Sequence, residues 1–277
     1  MLSQCSETFG RHRRLSAEIH HSSTPFSRLA AACVLGLCLC VAAGCDGSGG
    51  VKRSDVSGSI GDRCRTGSFH RLGSARSAYA AIVRSNAAVA SRPGGRPFAR
   101  FHRLNVNGAP TVFSIRGAIV DTACRPRAYL VQVPRRPNGR TGWVAAATVT
   151  VGTVRTRIVV DLSRKQVTLY RDGRAVLSST AAIGAPATPT PTGRFYVNQR
   201  LIPADPNGPY GPGAVGISAF SDVLTGWTQG GPIAIHGTNA PWSIGKAVSN
   251  GCIRLPNETL RRVFSEALAG TPVLIRR

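Results

Sequence analysis

The segments IHGTN at residues 235–239 and SNGCIR at residues 249–254 are the most informative part of this 277-residue sequence. His236 is the only histidine after residue 102, and Cys252 is the only cysteine after residue 124. Both residues lie next to a glycine. A thiolate nucleophile needs a base that takes and returns its proton, and small neighbours leave room for a carbonyl group to approach. The pair therefore indicates cysteine-dependent acyl transfer.

A zinc site is the chemical alternative for this pair. His236 and Cys252 supply two ligands, whereas protein zinc sites use three or more side chains. The carboxylates nearest in sequence form no ligand motif: Asp161, Asp172, Asp205, Asp222, Glu258 and Glu266. We therefore expect neither a metal ion nor a cofactor.

The charge of the chain is strongly basic. It carries 35 Lys and Arg residues against 12 Asp and Glu residues, a formal net charge of +23. Such an excess of basic residues is typical of proteins that bind nucleic acid, acidic lipid or anionic wall polymers. The sequence has no zinc-finger spacing, basic helix or basic stripe interleaved with aromatics, so we expect no nucleic-acid partner. The arginines are scattered along the chain, which favours the interpretation that they form a solvated basic surface. The second interpretation is that they attract the protein to an anionic cell surface.

Residues 1–45 have the pattern of an export signal. An apolar run over residues 29–44 follows several arginines, and it is short for a membrane span of about 20 residues. The run ends in VAAGC at residues 41–45, which resembles a bacterial lipobox with Ala42 in place of the usual leucine. We expect Cys45 to carry lipid, so that the protein is membrane-anchored in the cell envelope, outside the cytoplasm and facing the wall. An uncleaved anchor and an ordinary signal peptide are the alternatives.

The remaining cysteines are Cys64, Cys124 and Cys252. Exported proteins tend to oxidise spare thiols. The odd number predicts a disulfide between Cys64 and Cys124, which leaves Cys252 as the thiol.

The stretch before residue 151 divides by composition. Residues 46–97 are interpreted as a linker followed by a weakly helical segment over residues 75–90, with Tyr79, Ile82 and Val83 on one face. Residues 98–151 contain short β-rich runs, and the turn with Asn138-Gly139 predicts a hairpin. We expect a small SH3-like β-domain here; the alternative is that these strands join the sheet of the next domain.

Residues 154–277 contain further strands and one clear helix. Strands are predicted at residues 157–162, 167–170, 175–177, 193–197 and 271–275. The helix is predicted to begin with Asn257 as N-cap and to end before Gly270. Its apolar stripe comprises Leu260, Val263, Phe264, Ala267 and Leu268. The predicted fold class is therefore mainly β, with a short helix after the Cys252 segment.

Residues 154–277 closely resemble the catalytic domain of the L,D-transpeptidase family, also called the YkuD domain. The resemblance rests on residues 160–162 with 167–170, on residues 182–184 with 190–195, and on the two segments that carry His236 and Cys252. It implies a β-rich catalytic domain, which a small β-domain often precedes.

The resemblance also implies a role for each matching residue. Cys252 is the expected nucleophile, His236 is the general base and later acid, and the backbone carbonyl of Gly237 orients the imidazole. The residues expected to form the oxyanion hole or to bind substrate are Thr238, Ser249, Asn250, Gly251 and Arg254. Asn250 stands where the family often has histidine, so we expect altered donor or acceptor selectivity.

The implied reaction is acyl transfer between peptidoglycan stem peptides. A thioester forms as a tetrapeptide stem loses its terminal D-Ala, and the amine of a second stem then completes a 3→3 crosslink, a step of wall biogenesis that supports cell shape. Water as acceptor makes the enzyme an L,D-carboxypeptidase instead. Carbapenems are the implied inhibitors. The alternatives from other classes are a non-catalytic wall-binding lipoprotein and an exported cysteine peptidase.

Overall fold

The computed structural model describes residues 64–277 and the backbone of one two-residue strand, Lys52–Arg53. The predicted signal segment, the lipidation site Cys45 and the rest of the predicted linker up to residue 63 lie outside the described residues. Among the residues that are described, no helix is both long and apolar enough to cross a membrane.

The first half of the described chain forms one antiparallel sheet of nine strands. In chain order the strands are β1 Lys52–Arg53, β2 Phe69–Arg71, β3 Ala78–Val83, β4 Asn86–Ala90, β5 Pro97–His102, β6 Val112–Val120, β7 Pro126–Gln132, β8 Thr141–Ala145 and β9 Val149–Val154. Their order in the sheet is β1-β9-β3-β6-β7-β8-β4-β5, and β2 pairs with β6. We call this sheet and its loops the N-terminal unit.

The weakly helical segment predicted over residues 75–90 is wrong, because β3 and β4 occupy it. Tyr79, Ala81 and Val83 alternate along β3 and are buried in the core of the N-terminal unit. Strand β3 pairs with β6 on one side and β9 on the other, so long-range pairing overrides the local alanine-rich pattern. The N-terminal unit therefore begins well before residue 98.

A disulfide joins Cys64 and Cys124 in this unit, with a Cα–Cα distance of 5.9 Å. It fastens the segment before β2 to the turn between β6 and β7. Cys252 takes no part in a disulfide.

The second half forms the catalytic unit. Its strands are β10 Thr156–Asp161, β11 Gln166–Arg171, β12 Arg174–Thr180, β13 Ile183–Gly184, β14 Gly193–Leu201, β15 Ala214–Phe220, β16 Pro232–His236, β17 Ala247–Ser249, β18 Ile253–Arg254 and β19 Pro272–Arg276. Eight of them form a sheet in the order β12-β11-β10-β19-β14-β15-β16-β18, and β13 pairs with β17. The pairs β10–β19, β13–β17 and β16–β18 are parallel.

The strands predicted at residues 167–170 and 175–177 and the predicted helix are confirmed. The turn between β11 and β12 places Asp172 and Gly173 at φ 54° and 83°, as a two-residue hairpin turn requires. Helix α1 spans Asn257–Glu266, and its Leu260 and Val263 are fully buried in the core. The prediction that Asn257 caps this helix is wrong, because Asn257 is already its first residue and its side chain makes no cap.

The two units pack directly on each other. Only Arg155 separates β9 from β10. The buried Tyr196 of β14 donates its hydroxyl to the Val112 carbonyl at 3.0 Å, and Gln132 Nε2 donates to the Arg194 carbonyl at 2.8 Å. Strands β6 and β7 of the N-terminal unit therefore contact β14, an inner strand of the second sheet.

Candidate active site

The register of β16 and β18 brings His236 and Cys252 together. Ile235 pairs with Ile253 and His236 pairs with Arg254. Both isoleucines are fully buried in the core of the catalytic unit. Because side chains alternate along a strand, His236 and Arg254 face away from that core, and so does Cys252, which immediately precedes β18. The fifteen intervening residues lead the chain from His236 back to Cys252.

His236 is held in one tautomer. Its Nδ1 lies 2.6 Å from the carbonyl oxygen of Gly237, and a carbonyl only accepts, so Nδ1 carries the proton. The imidazole is 3 % exposed. The pKa of His236 is lowered to about 4, mainly because the ring is buried; the hydrogen bond to Gly237 opposes this shift, and the charge of Arg254 adds to it. At neutral pH the ring is therefore uncharged, with Nε2 able to accept a proton.

Cys252 lies at the wall of a pocket and is itself only 7 % exposed. Tyr210, Trp227 and Asn250 line the same pocket. Tyr210 also covers the base, since its ring centroid is 5.0 Å from that of His236. Tyr210 lies in the loop between β14 and β15, which is rich in proline and glycine. This loop therefore covers His236 and borders the pocket of Cys252.

The segment before Cys252 is fixed by side-chain hydroxyls. Thr188 Oγ1 donates to the Ser249 carbonyl and Thr190 Oγ1 to the Gly251 carbonyl, each at 2.9 Å. Ser249 Oγ donates to the Cys252 carbonyl at 2.5 Å, so Ser249 shapes the loop instead of lining the pocket. Gly251 adopts φ 105°, where a side chain would be strained, and a Cβ would also lie 2.9 Å from Ile233 Cδ1.

The expected oxyanion donor changes with this geometry. The N–H of Gly251 is directed at Ser249 Oγ, 3.2 Å away, instead of into the pocket. The backbone N–H of Cys252 is then the one that stays predicted for this role.

Asn257 holds the segment that follows His236, a role that the sequence did not suggest. Its Oδ1 accepts the N–H of Thr238 at 2.8 Å, and a Cβ on Gly237 would lie 2.4 Å from the same oxygen. The Thr238 hydroxyl accepts the N–H of Ala240 at 2.9 Å. Thr238, predicted to bind substrate, is thus engaged in holding the loop, and Gly237 is the residue that fits beside Asn257.

Arg254 adjoins the base. Its backbone N–H and carbonyl pair with Ala182, each at 2.9 Å. Its Nε is buried and has no hydrogen-bond partner among the described residues. The expected contact with an acidic group of the substrate stays a prediction, because Arg254 does not line the Cys252 pocket.

Residues 64–277 contain no group of three His, Cys, Asp or Glu side chains placed to hold a metal ion.

Comparison with known proteins assigns the family. The sequence profile of the L,D-transpeptidase catalytic domain, YkuD, matches residues 155–275. The protein YkuD of Bacillus subtilis (strain 168), named an L,D-transpeptidase, is 38% identical over 125 residues, which cover 45% of this chain and 68% of that relative. This chain belongs to the L,D-transpeptidase family. A second Bacillus subtilis L,D-transpeptidase, YqjB, is 30% identical over 128 residues, covering 43% of this chain and 69% of YqjB.

Solved structures of L,D-transpeptidases also match. The catalytic domain from Enterococcus faecium, acylated by ertapenem, is 27% identical with a TM-score of 0.32, and the match covers 44% of this chain and 96% of that one. An L,D-transpeptidase from Mycobacterium smegmatis is 20% identical with a TM-score of 0.38, and the match covers 71% and 99% of the two chains.

The buried, neutral His236 predicts a loss of stability in acid. The unfolded chain binds a proton at His236 below pH 6.5, whereas the folded chain binds it only near pH 4. The free energy of unfolding should therefore fall as the pH drops from 6.5 to 4, by up to about 3 kcal/mol from this residue. Urea unfolding at several pH values measures the slope.

His236→Gln should flatten this slope, because glutamine does not take up the proton. An unaltered slope in His236→Gln would show that His236 is not the group that titrates.

Proposed function

We propose that this L,D-transpeptidase family member forms a thioester between Cys252 and a peptidoglycan tetrapeptide stem. The acyl group then passes to the side-chain amine of a second stem and creates a 3→3 crosslink. Family membership supports the class of reaction. The shared face of His236 and Cys252 supports the assignment of these residues as base and nucleophile.

The observation that carries the proposal is the state of His236. A general base must be unprotonated before the reaction, and burial keeps this imidazole neutral at physiological pH. Its Nδ1–H is committed to the Gly237 carbonyl, so the lone pair is on Nε2. A backbone carbonyl therefore does the orienting that a carboxylate does in Ser-His-Asp enzymes.

The two half-reactions balance with these groups alone. Cys252 Sγ attacks the stem carbonyl while its proton passes to His236 Nε2, and the backbone N–H of Cys252 stabilises the oxyanion. The intermediate collapses as the C–N bond breaks and D-Ala leaves with the proton from His236. The acceptor amine then attacks the thioester, loses a proton to His236 and releases the thiol. Water in place of the amine gives the carboxypeptidase reaction.

We also propose that the protein acts at the cell envelope, held by lipid on Cys45, where its substrate is. The support is the sequence VAAGC after an apolar run.

Cys45→Ala should move the protein out of the membrane fraction of cells, while the unchanged chain should remain with the membranes and incorporate labelled fatty acid. Equal membrane association and labelling of both forms would refute lipidation at Cys45.

The carbapenem meropenem provides a direct probe of the proposed nucleophile. The protein should gain one covalent adduct in intact mass spectra, and Cys252→Ala should gain none. His236→Ala should slow acylation by roughly 10²-fold or more, because the thiol loses its base. His70→Ala, in β2 of the N-terminal unit, is the matched control and should react like the unchanged protein.

An adduct on Cys252→Ala would reject the thiol assignment, and full-rate acylation of His236→Ala would reject the base. Tetrapeptide stems supplied with and without an acceptor stem separate transpeptidase from carboxypeptidase activity.

A further inference from the structure

A second cleft, between the two units, adjoins the Cys252 pocket. This second cleft has a volume of about 400 Å³. The two spaces share four lining residues: Asn107, Gln199, Gln229 and Pro232. Three of the four are side-chain amides, and none is charged. A molecule that extends from Cys252 into the second cleft must therefore pass over amide groups.

A β-bulge turns two consecutive residues of β14 toward this cleft. The pairing of β14 with β15 shifts register between Val197 and Gln199, so Asn198 is the extra residue. In a regular strand neighbouring side chains point to opposite faces, whereas Asn198 and Gln199 both line the cleft. The bulge thus presents two amides where an undisturbed strand presents one.

The N-terminal unit supplies the opposite wall through its loop at residues 103–111. Asn105 Nδ2 and Asn107 Nδ2 donate to Gln199 Oε1 at 2.8 and 3.0 Å. Gln229 Nε2 donates to Asn107 Oδ1 at 3.0 Å. Gln229 has φ 59°, a conformation that is uncommon outside glycine, and the contact with Asn107 helps to hold it there.

A second loop of the N-terminal unit, at residues 133–140, holds the segment at residues 220–231. Asn138 pairs in both directions with the backbone of Phe220: Nδ2 donates to its carbonyl at 2.8 Å and Oδ1 accepts its N–H at 2.9 Å. Arg136 Nη2 donates to the Gly230 carbonyl at 2.9 Å. Residues 220–231, which include the pocket residues Trp227 and Gln229, are therefore braced by the N-terminal unit at both ends.

One side-chain oxygen beside the cleft lacks a hydrogen-bond partner. Asn198 lines the cleft, and its Oδ1 is buried and accepts no hydrogen bond from any of the described residues. A buried acceptor without a donor is costly, so a turn of the Asn198 side chain that presents Oδ1 to a ligand N–H in the cleft is favoured. The shared lining residues are uncharged, which suits the N–H and C=O groups of a peptide better than a phosphate or a carboxylate.

We propose that Asn107, Asn198, Gln199 and Gln229 form a peptide-binding subsite that continues from the catalytic pocket. A stem peptide with its scissile carbonyl at Cys252 extends along the bulge and donates a backbone N–H to Asn198 Oδ1. The N-terminal unit then takes part in substrate recognition, because it contributes Asn107 to the subsite. This inference rests on the proposed function, since it assumes a stem peptide as substrate.

Asn198→Ala tests the subsite. The variant should raise KM for a tetrapeptide stem by about tenfold, the worth of one hydrogen bond, with kcat within a factor of two. Alkylation of Cys252 by iodoacetamide should keep its rate, because that reagent is too small to reach the cleft. The midpoint of thermal unfolding should stay the same or rise, since the substitution removes an unsatisfied buried oxygen, whereas a purely structural role for Asn198 predicts a fall.

Asn107→Ala should raise KM in the same direction, which keeps the test valid should Asn198→Ala fold poorly. Asn207→Ala is the matched control, because Asn207 is exposed and lines neither space. Unchanged KM in Asn198→Ala and Asn107→Ala would overturn the subsite and leave the proposed function standing. Absence of any turnover of stem peptides by the unchanged protein would overturn both.

Discussion

The parallel pairing of β16 with β18 is the constraint that creates the candidate active site. It fixes His236 and Arg254 as partners and places Cys252 two residues before Arg254, on the same side of the sheet. The opposite side of the pair, Ile235 and Ile253, is buried in the core. A shift of one residue would exchange the two faces and bury polar groups in the core, so the core itself enforces the register. The chemistry of the site is thus tied to the stability of the fold.

Burial also lowers the pKa of His236, the proposed base. A histidine in water is partly protonated near pH 6.5, whereas His236 is enclosed under Tyr210 and stays neutral down to about pH 4. No buried carboxylate is needed to orient the imidazole, because the backbone carbonyl of Gly237 accepts the hydrogen bond from His236 Nδ1–H. Asn257 holds the next residue, Thr238, and so links the position of that carbonyl to helix α1.

The sequence predicted the parts of the site that depend on rare residue types. His236 and Cys252 were identifiable because few other residues in that region could perform the chemistry, and helix α1 because its apolar stripe has a clear period. Strand β3 was missed, since its alanines fit a helix until β6 and β9 pair on either side. The contact of Asn107 with Gln199 was equally inaccessible, because 92 residues separate the two and no local pattern reports such pairing. Asn257 was given the local role of a cap and has instead a long-range one.

Loops of the N-terminal unit donate hydrogen bonds to the pocket wall, and the catalytic unit carries Cys252 and His236, the proposed nucleophile and base. The central claim is that Cys252 carries the acyl group. Acid-quenched reaction of the unchanged protein with a tetrapeptide stem, followed by peptide mapping, tests it most directly. The account predicts a thioester on Cys252 with a mass equal to the stem without its terminal D-Ala. Turnover of the stem with an adduct on another residue, or turnover by Cys252→Ala, would contradict it.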